Sequence, residues 1–265
     1  MVAIYNKEIN LSKRSKVIFM LEWNNMKKQI YYQYLVGIDI GGTKTKAVLW
    51  DKKRISKSKR ILTPNTNKEL KQVLQGIIKE LNPKKGSFLI GIGVAGVVKK
   101  TFLLSAPNLS KIKNLNFRKV FSESIPLLVD NDARCFLKGE LVSNSFKKAK
   151  SVFGLTIGTG IGRAYAKNGV VQKIKRFEDH EQWEKEYQEI KNKKDYSLLA
   201  QFLGQKLFPL LKKYDPEVIV IGGGVIKNKV FFNKLCQELK KQGIRCKIKY
   251  SKLGENAVSL GSVLY

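Results

Sequence analysis

The stretch LVGIDIGGTKTKAVLW, residues 35–50, runs apolar to a carboxylate at Asp39, meets a glycine pair at Gly41 and Gly42, and resumes at once as an alternating segment. Alternation on both sides predicts two β-strands joined by a tight bend. Glycine removes Cβ and permits positive φ, so a ligand could approach the backbone closely there. Converging amide N–H groups, with the Thr43 hydroxyl beside them, make a concavity suited to phosphate. The competing reading is an ordinary hairpin turn, where glycine is common for steric reasons alone. A second copy tips the balance. SVFGLTIGTGIGRAYAKNG, residues 151–169, again sets a glycine bend, Gly158-Thr159-Gly160, between two strands. The recurrence points to a duplicated α/β domain with a cleft between its halves.

Outward from these bends the pattern stays regular. Thr66 opens a helix with Glu69 three residues on, and Leu70, Val73, Leu74, Ile77, Ile78 and Leu81 keep helical spacing. SFLIGIGVAG reads as a buried strand, NFRKVFSES as helix, IPLLVDND as strand and ARCFLKGELVSN as helix. Further helices are expected around residues 181–191 and 196–214. EVIVIGGG follows as a strand, KVFFNKLCQELKKQG as a helix, IRCKIKY as a strand and ENAVSLGSVL as a closing helix. The chain therefore divides into lobes over residues 34–129 and 130–265, with the last helix returning to the first lobe. Residues 1–33 are charged and lack a clean period. They read either as a short extension or as sequence upstream of a start at Met26, and are too short for a winged helix-turn-helix. GIGVAG, residues 91–96, satisfies GxGxxG, but no helix follows it and the region near position 111 is basic rather than acidic. A dinucleotide fingerprint needs both, so this is a buried strand end.

Composition bounds the partners. There are 51 Lys and Arg against 21 Asp and Glu, a formal charge of +30. A polyanion partner is one reading; because only eight of the 51 are Arg, the better phosphate fork, a lysine-rich solvated surface is the other. Nucleic acid is not the expected partner. No apolar run approaches the ~20 residues of a membrane span, and a cytoplasmic location is the expectation. Cys135, Cys236 and Cys246 lie far apart with no CxxC pair, which argues against disulfides or a cysteine-rich zinc site.

Asp130, Asn131 and Asp132 close an apolar strand and open a helix. Asp130 reads as the N-cap. Asp132, at the carboxyl end of a strand, is placed to take a proton from a substrate hydroxyl.

Taken in order, these segments resemble the ROK family of sugar kinases (repressors, open reading frames, kinases), within the actin/hexokinase/Hsp70-like superfamily. DIGGTKT is similar to its first phosphate segment, SAPNL to the loop before its sugar site and VDNDA to its catalytic segment. TIGTGIG resembles the second phosphate segment, DPEVIVIGGGV the adenosine segment and GENAVSLGS the final helix. The resemblance implies two RNase H-like lobes with a central cleft that close over ATP, Mg2+ and a hexose. It makes Asp132 the general base and Asp39 the organiser of Mg2+. Asn131 and Asn108 would bind the sugar. Gly41, Gly42, Thr43, Lys44, Gly158, Thr159 and Gly160 would hold phosphates, and Gly223 and Gly224 would lie against the adenosine. A homodimer is common in the family.

The chain departs from the family in places. The zinc-binding cysteine cluster is missing, so no zinc is expected. The glutamate–x–x–histidine pair that grips the sugar is replaced by RFEDHEQWE, where His180 with Glu178 or Glu181 stands in, or His180 is a surface residue. Arg163 stands where a glycine often follows GTGIG. The shortened, zinc-free region is similar to that of polyphosphate glucokinases, which leaves polyphosphate open as donor beside ATP. A non-catalytic sugar sensor is the alternative of a different class.

Overall fold

The computed structural model describes residues 3–6, 18–23, 26–51, 54–83, 88–109, 111–143, 146, 148–179 and 181–264, with side chains from Tyr32 onward. The chain forms two compact units, Met1–Cys135 with Val258–Tyr265, and Phe136–Ala257. At the N-terminus, β1 (Ala3–Asn6), β2 (Ile18–Trp23) and β3 (Met26–Tyr31) form an antiparallel sheet in that order, with Trp23 paired to Met26. The stretch without a clean period is thus strand-forming where it is described.

The first unit continues with β4 (Tyr34–Ile40), β5 (Lys44–Trp50), β6 (Ile55–Leu62), α1 (Asn67–Leu81) and β7 (Phe88–Val94). A small antiparallel sheet of β8 (Val97–Lys99), β9 (Phe102–Ser105) and β10 (Leu115–Asn116) precedes β11 (Leu127–Asn131) and α2 (Asp132–Val142). The main sheet has the order β11-β7-β4-β5-β6, with β4, β5 and β6 antiparallel and β4, β7 and β11 parallel.

The second unit repeats that plan. β12 (Ser151–Ile157), β13 (Ile161–Lys167) and β14 (Val170–Val171) form an antiparallel meander, followed by α3 (Glu184–Asn192) and α4 (Tyr196–Tyr214). β15 (Val218–Gly222), α5 (Lys229–Lys241), β16 (Lys247–Tyr250) and α6 (Ala257–Ser262) complete the chain. The sheet order is β14-β13-β12-β15-β16, with β12, β15 and β16 parallel. Three antiparallel strands followed by two parallel ones, twice over, is the duplicated α/β plan expected from the repeated glycine bends and the RNase H-like arrangement that the family resemblance implies. Both unit boundaries fall inside helices, α2 and α6.

Local signals explain most elements. Thr66 caps α1 by accepting the Glu69 N–H, and Asn82 ends it in the left-handed region at φ 44°. Leu70, Leu74, Ile77 and Leu81 are the buried stripe, each contributing roughly 1.5–3 kcal/mol. The helix expected over NFRKVFSES is only one 3₁₀ turn, Phe117–Lys119. Asn116 Oδ1 accepts the Arg118 N–H, and the Arg118 guanidinium donates to the carbonyls of Ile125 and Ser122. Those carbonyls are thereby satisfied by a side chain instead of by a helical ladder.

The two faces of the first sheet differ in kind. One carries Val36, Ile38, Ile40, Ile90, Ile92 and Val94, all in the apolar core with α1. The other carries Gly37 and Asp39 on β4, opposite Gly91 and Gly93 on β7, with Asp130 on β11 beside Gly93. Helix α6 lies directly on these glycines. A Cβ at Gly37 would fall 1.9 Å from the Ser259 carbonyl oxygen, and one at Gly91 would fall 2.3 Å from that of Ser262. Above Gly93 lie Val258 Cγ1 and Cys135 Cβ, at 2.6 and 3.2 Å from a Cβ there. Of the GIGVAG glycines, Gly91 makes room for the backbone of α6, Gly93 for the side chains of Val258 and Cys135, and Gly96 for Ser105 and Leu103, consistent with a buried strand end. Gly37→Ala is expected to cost roughly 3 kcal/mol by overpacking. Gly76→Ala, in the exposed interior of α1 with nothing within 4 Å, should add about 0.5–1 kcal/mol. Chemical denaturation of the two variants checks both signs.

Candidate active site

In the first unit, the strand ends bring Asp39, the Gly41–Gly42 bend, Asn131 and Asp132 to one edge of the sheet. Gly41 N–H donates to the Lys44 carbonyl at 3.1 Å, closing the bend. The Ala95 N–H donates to the Ile40 carbonyl at 3.2 Å, tying β7's end to the same edge. Thr43 and Lys44 are exposed.

The start of α2 corrects the sequence reading. Asn131, not Asp130, is the cap: its Oδ1 accepts the N–H groups of Ala133 at 3.0 Å and Arg134 at 3.3 Å. Its Nδ2 donates to the Gly96 carbonyl at 3.1 Å, joining the cap to the loop after β7. Asp130 instead accepts from Arg134 Nε at 2.7 Å, one turn along the helix. Three consecutive residues are competent to cap, and Arg134 decides among them by engaging the first. Asp132 is left as the first helical residue, with Oδ1 accepting the Ala133 N–H at 2.9 Å.

Asp39 and Asp132 feel each other. Burial and then the charge of Asp132 raise the Asp39 carboxyl, against the opposing charge of Lys46 directly opposite on β5, to about 8. Burial raises Asp132, and after the opposing effects of the Ala133 N–H and of Arg134 its carboxyl stands at about 6. Asp132 thus ionises first, and its charge is what Asp39 must then overcome. Each carboxylate keeps partial solvent access.

In the second unit the glycine bend closes through the Gly158 N–H to the Gly160 carbonyl at 3.0 Å. The end of β15 lies beside it. Gly223 has φ +103°, and a Cβ there would fall 2.3 Å from the Ile157 carbonyl oxygen. A Cβ at Gly158 would fall 3.9 Å from the Gly224 nitrogen. The two glycine segments of this unit, far apart in sequence, are therefore neighbours.

Arg163 is buried. It donates to Glu181 Oε1 at 2.8 Å and to the Asp179 carbonyl at 2.6 Å, and its Nη2 lies 3.4 Å from buried Glu184. Glu181 is thus engaged by Arg163. Glu178 follows a 3₁₀ turn, Lys175–Phe177, and is half-buried, as is Asn108 in the turn after Ala106. His180 lies outside the described residues. The sequence pattern leaves unmarked three residues that touch the bends, Thr63, Tyr187 and Gln188. Their contacts span 22 to 29 residues, beyond any local motif.

The sequence profile of the ROK family matches residues 35–176. The N-acetyl-D-glucosamine kinase of Salmonella typhimurium is 31% identical over 141 residues, 50% of this chain and 46% of that protein. The glucokinase of Streptomyces coelicolor is 29% identical over 131 residues, 48% of this chain and 41% of that protein. The chain thus matches about half the length of these curated relatives. A ROK family glucokinase from Streptomyces griseus, solved with glucose and AMPPNP, superposes with a TM-score of 0.74 at 19% identity, covering 87% of this chain and 98% of that one. The shared fold is of the actin/hexokinase type. Among the described residues no helix is long and apolar enough to cross a membrane.

The raised Asp39 carboxyl has a consequence for stability. An acid whose pKa rises on folding costs nothing while both states are protonated, below about pH 4. From there the unfolded chain ionises first, and stability falls as pH climbs toward 8. Asp39→Asn removes this cost, so it should be more stable than the parent at pH 8, on the order of 1–3 kcal/mol. The gain should vanish near pH 4; thermal melts across that range read it.

Proposed function

Since the chain belongs to the ROK family, we propose that it is a sugar kinase, transferring the γ-phosphoryl group of ATP to a hydroxyl of a hexose or N-acetylhexosamine. One observation carries the reading: Asp132, the first residue of α2, stands at the same sheet edge as Asp39 and the Gly41–Gly42 bend, and burial raises its carboxyl to about 6. A base is most effective when its pKa lies near the working pH. In the proposed step Asp132 Oδ takes the proton of the sugar hydroxyl. The hydroxyl oxygen bonds to the γ-phosphorus as the bond from phosphorus to the ADP oxygen breaks. Such transfer depends mainly on in-line positioning and on neutralising charge.

The remaining residues divide by chemistry. The bends at Gly41–Lys44 and Gly158–Gly160 would hold phosphate oxygens by backbone N–H groups, with Gly223 and Gly224 against the adenosine. Asn131, whose Nδ2 keeps a second hydrogen beyond the bond to Gly96, would donate to a sugar hydroxyl, with Asn108 and Glu178 as further sugar contacts. Asp39 suits Mg2+. It is a hard oxygen donor crowded by a second carboxylate, a repulsion that a cation relieves. Among the described residues no group of three or more metal-ligating side chains occurs. When bound, Mg2+ would supply neutralisation of phosphate charge. Cytoplasmic ATP and Mg2+ would make that compartment the working location.

The test is turnover with Mg2+, a panel of hexoses and N-acetylhexosamines, and either ATP or polyphosphate as donor. Sugar-dependent consumption of ATP is the expected result; its absence with every sugar and both donors removes the reading in favour of a sensor. Asp132→Asn should lower kcat by roughly 10²–10⁴ while leaving the sugar Kd within severalfold. Unchanged turnover in that variant removes the base. Because the base must be ionised, parent kcat/KM measured with Mg2+ in excess should rise through about pH 6.

A further inference from the structure

The two glycine bends share a feature that their own sequences do not contain. In each, a hydroxyl from elsewhere in the same unit holds the carbonyl of the first glycine. Thr63 Oγ1 donates to the Gly41 carbonyl at 2.8 Å, and Tyr187 Oη donates to the Gly158 carbonyl at 2.7 Å. A second carbonyl is held in each as well. The Thr63 N–H donates to the Thr43 carbonyl at 3.0 Å, and Gln188 Nε2 donates to the Thr159 carbonyl.

These contacts fix more than the carbonyls. A trans peptide is planar, with C=O and N–H pointing in opposite directions. Holding the Gly41 carbonyl therefore sets the direction of the Gly42 N–H. Holding the Gly158 and Thr159 carbonyls sets those of the Thr159 and Gly160 N–H groups. A glycine peptide left to rotate could turn its carbonyl oxygen toward an incoming phosphate and repel it. Donors already oriented toward an anion need no reorganisation when it arrives.

Each pin is itself braced. Thr63 has one hydroxyl proton, given to Gly41, so Thr45 Oγ1, 3.0 Å away, is the donor of that pair. Both threonines are buried. Tyr187 is fully buried on α3. One turn earlier on that helix, Glu184 accepts the Ile161 N–H at 3.4 Å, just after the bend.

We propose that Thr63 and Tyr187, assisted by Gln188, are positioning residues that lock the amides of the two bends in the orientation that receives the donor's phosphate oxygens. The proposal rests on the phosphate role assigned to the bends above. It extends that role to side chains outside both glycine motifs.

The experiment measures the affinities of Mg–ADP and of adenosine for the whole chain and for Thr63→Val, Thr63→Ser and Tyr187→Phe. Phosphate is the only feature distinguishing the two probes that the bends would recognise. Thr63→Val and Tyr187→Phe should each weaken Mg–ADP about tenfold, the scale of one lost buried hydrogen bond, with adenosine within about twofold. Thr63→Ser keeps the hydroxyl and should restore Mg–ADP binding. Equal loss for both probes, no loss for Mg–ADP, or a Thr63→Ser variant as weak as Thr63→Val overturns the proposal. So does a parent chain that binds no Mg–ADP. If Tyr187→Phe does not fold, the Thr63 pair decides alone. A parent that binds Mg–ADP with this pattern but phosphorylates no sugar would remove only the kinase reading. Parent turnover with Mg–ADP affinity unchanged in the variants would remove only this one.

Discussion

Three missing side chains on one face of one sheet govern the first unit. Gly37, Gly91 and Gly93 leave room for the backbone of α6 and for the residue pair Val258 and Cys135. Any Cβ at the first two would overlap a helix carbonyl, so the contact is one of backbone on backbone. Close approach of that kind fixes a helix more tightly than interdigitating side chains, because it removes the adjustable layer between them. Cys135 belongs to the first turn of α2. The glycine face thereby sets where that turn begins, and with it the position of Asp132 relative to Asp39. The opposite face of the same strands is filled with Val and Ile against α1, so the apolar core supplies stability and the glycine face supplies placement.

The price of that placement is electrostatic. Two carboxylates are kept where burial disfavours charge, and the second to ionise also meets the charge of the first. Nothing in the fold requires this; a pair of asparagines would be easier to house. Such local expense is characteristic of a site selected for chemistry. The neighbouring Asp130 makes the contrast. Also acidic and one residue from the cap, it pairs with Arg134 and serves the helix start. Three acidic or amide residues in succession thus have three occupations: ion pair, cap and, in the proposed function, the base.

Much of this is readable along the chain. A period of two on either side of Gly41–Gly42 and of Gly158–Gly160 marks the meanders, and Thr66 with the Leu70–Leu81 stripe marks α1. What could not be read depends on partners remote in sequence. The flanks of GIGVAG already exclude a nucleotide fingerprint, but they do not show that α6, from near the other end of the chain, lies on Gly91. Asp130 and Asn131 are equally good caps until Arg134 chooses. The segment after Asn116 reads as helix, but the Arg118 side chain takes the carbonyls of Ser122 and Ile125 and only one 3₁₀ turn forms. Thr63 and Tyr187 carry no signal at all, since a threonine after a strand and a tyrosine on a helix are common. Only the fold reveals that both point a hydroxyl at the first glycine of a bend.

The pairing of Asp39 with Asp132 is the claim on which the functional account turns, and it is open to direct observation. Carbon-13 NMR of the aspartate carboxyl groups, followed through a pH titration, reports each ionisation separately. The account predicts midpoints of about 6 for Asp132 and about 8 for Asp39, with the Asp39 midpoint falling when Asp132 is replaced by Asn. Two carboxyls that titrate near pH 4, each indifferent to the other, would contradict it.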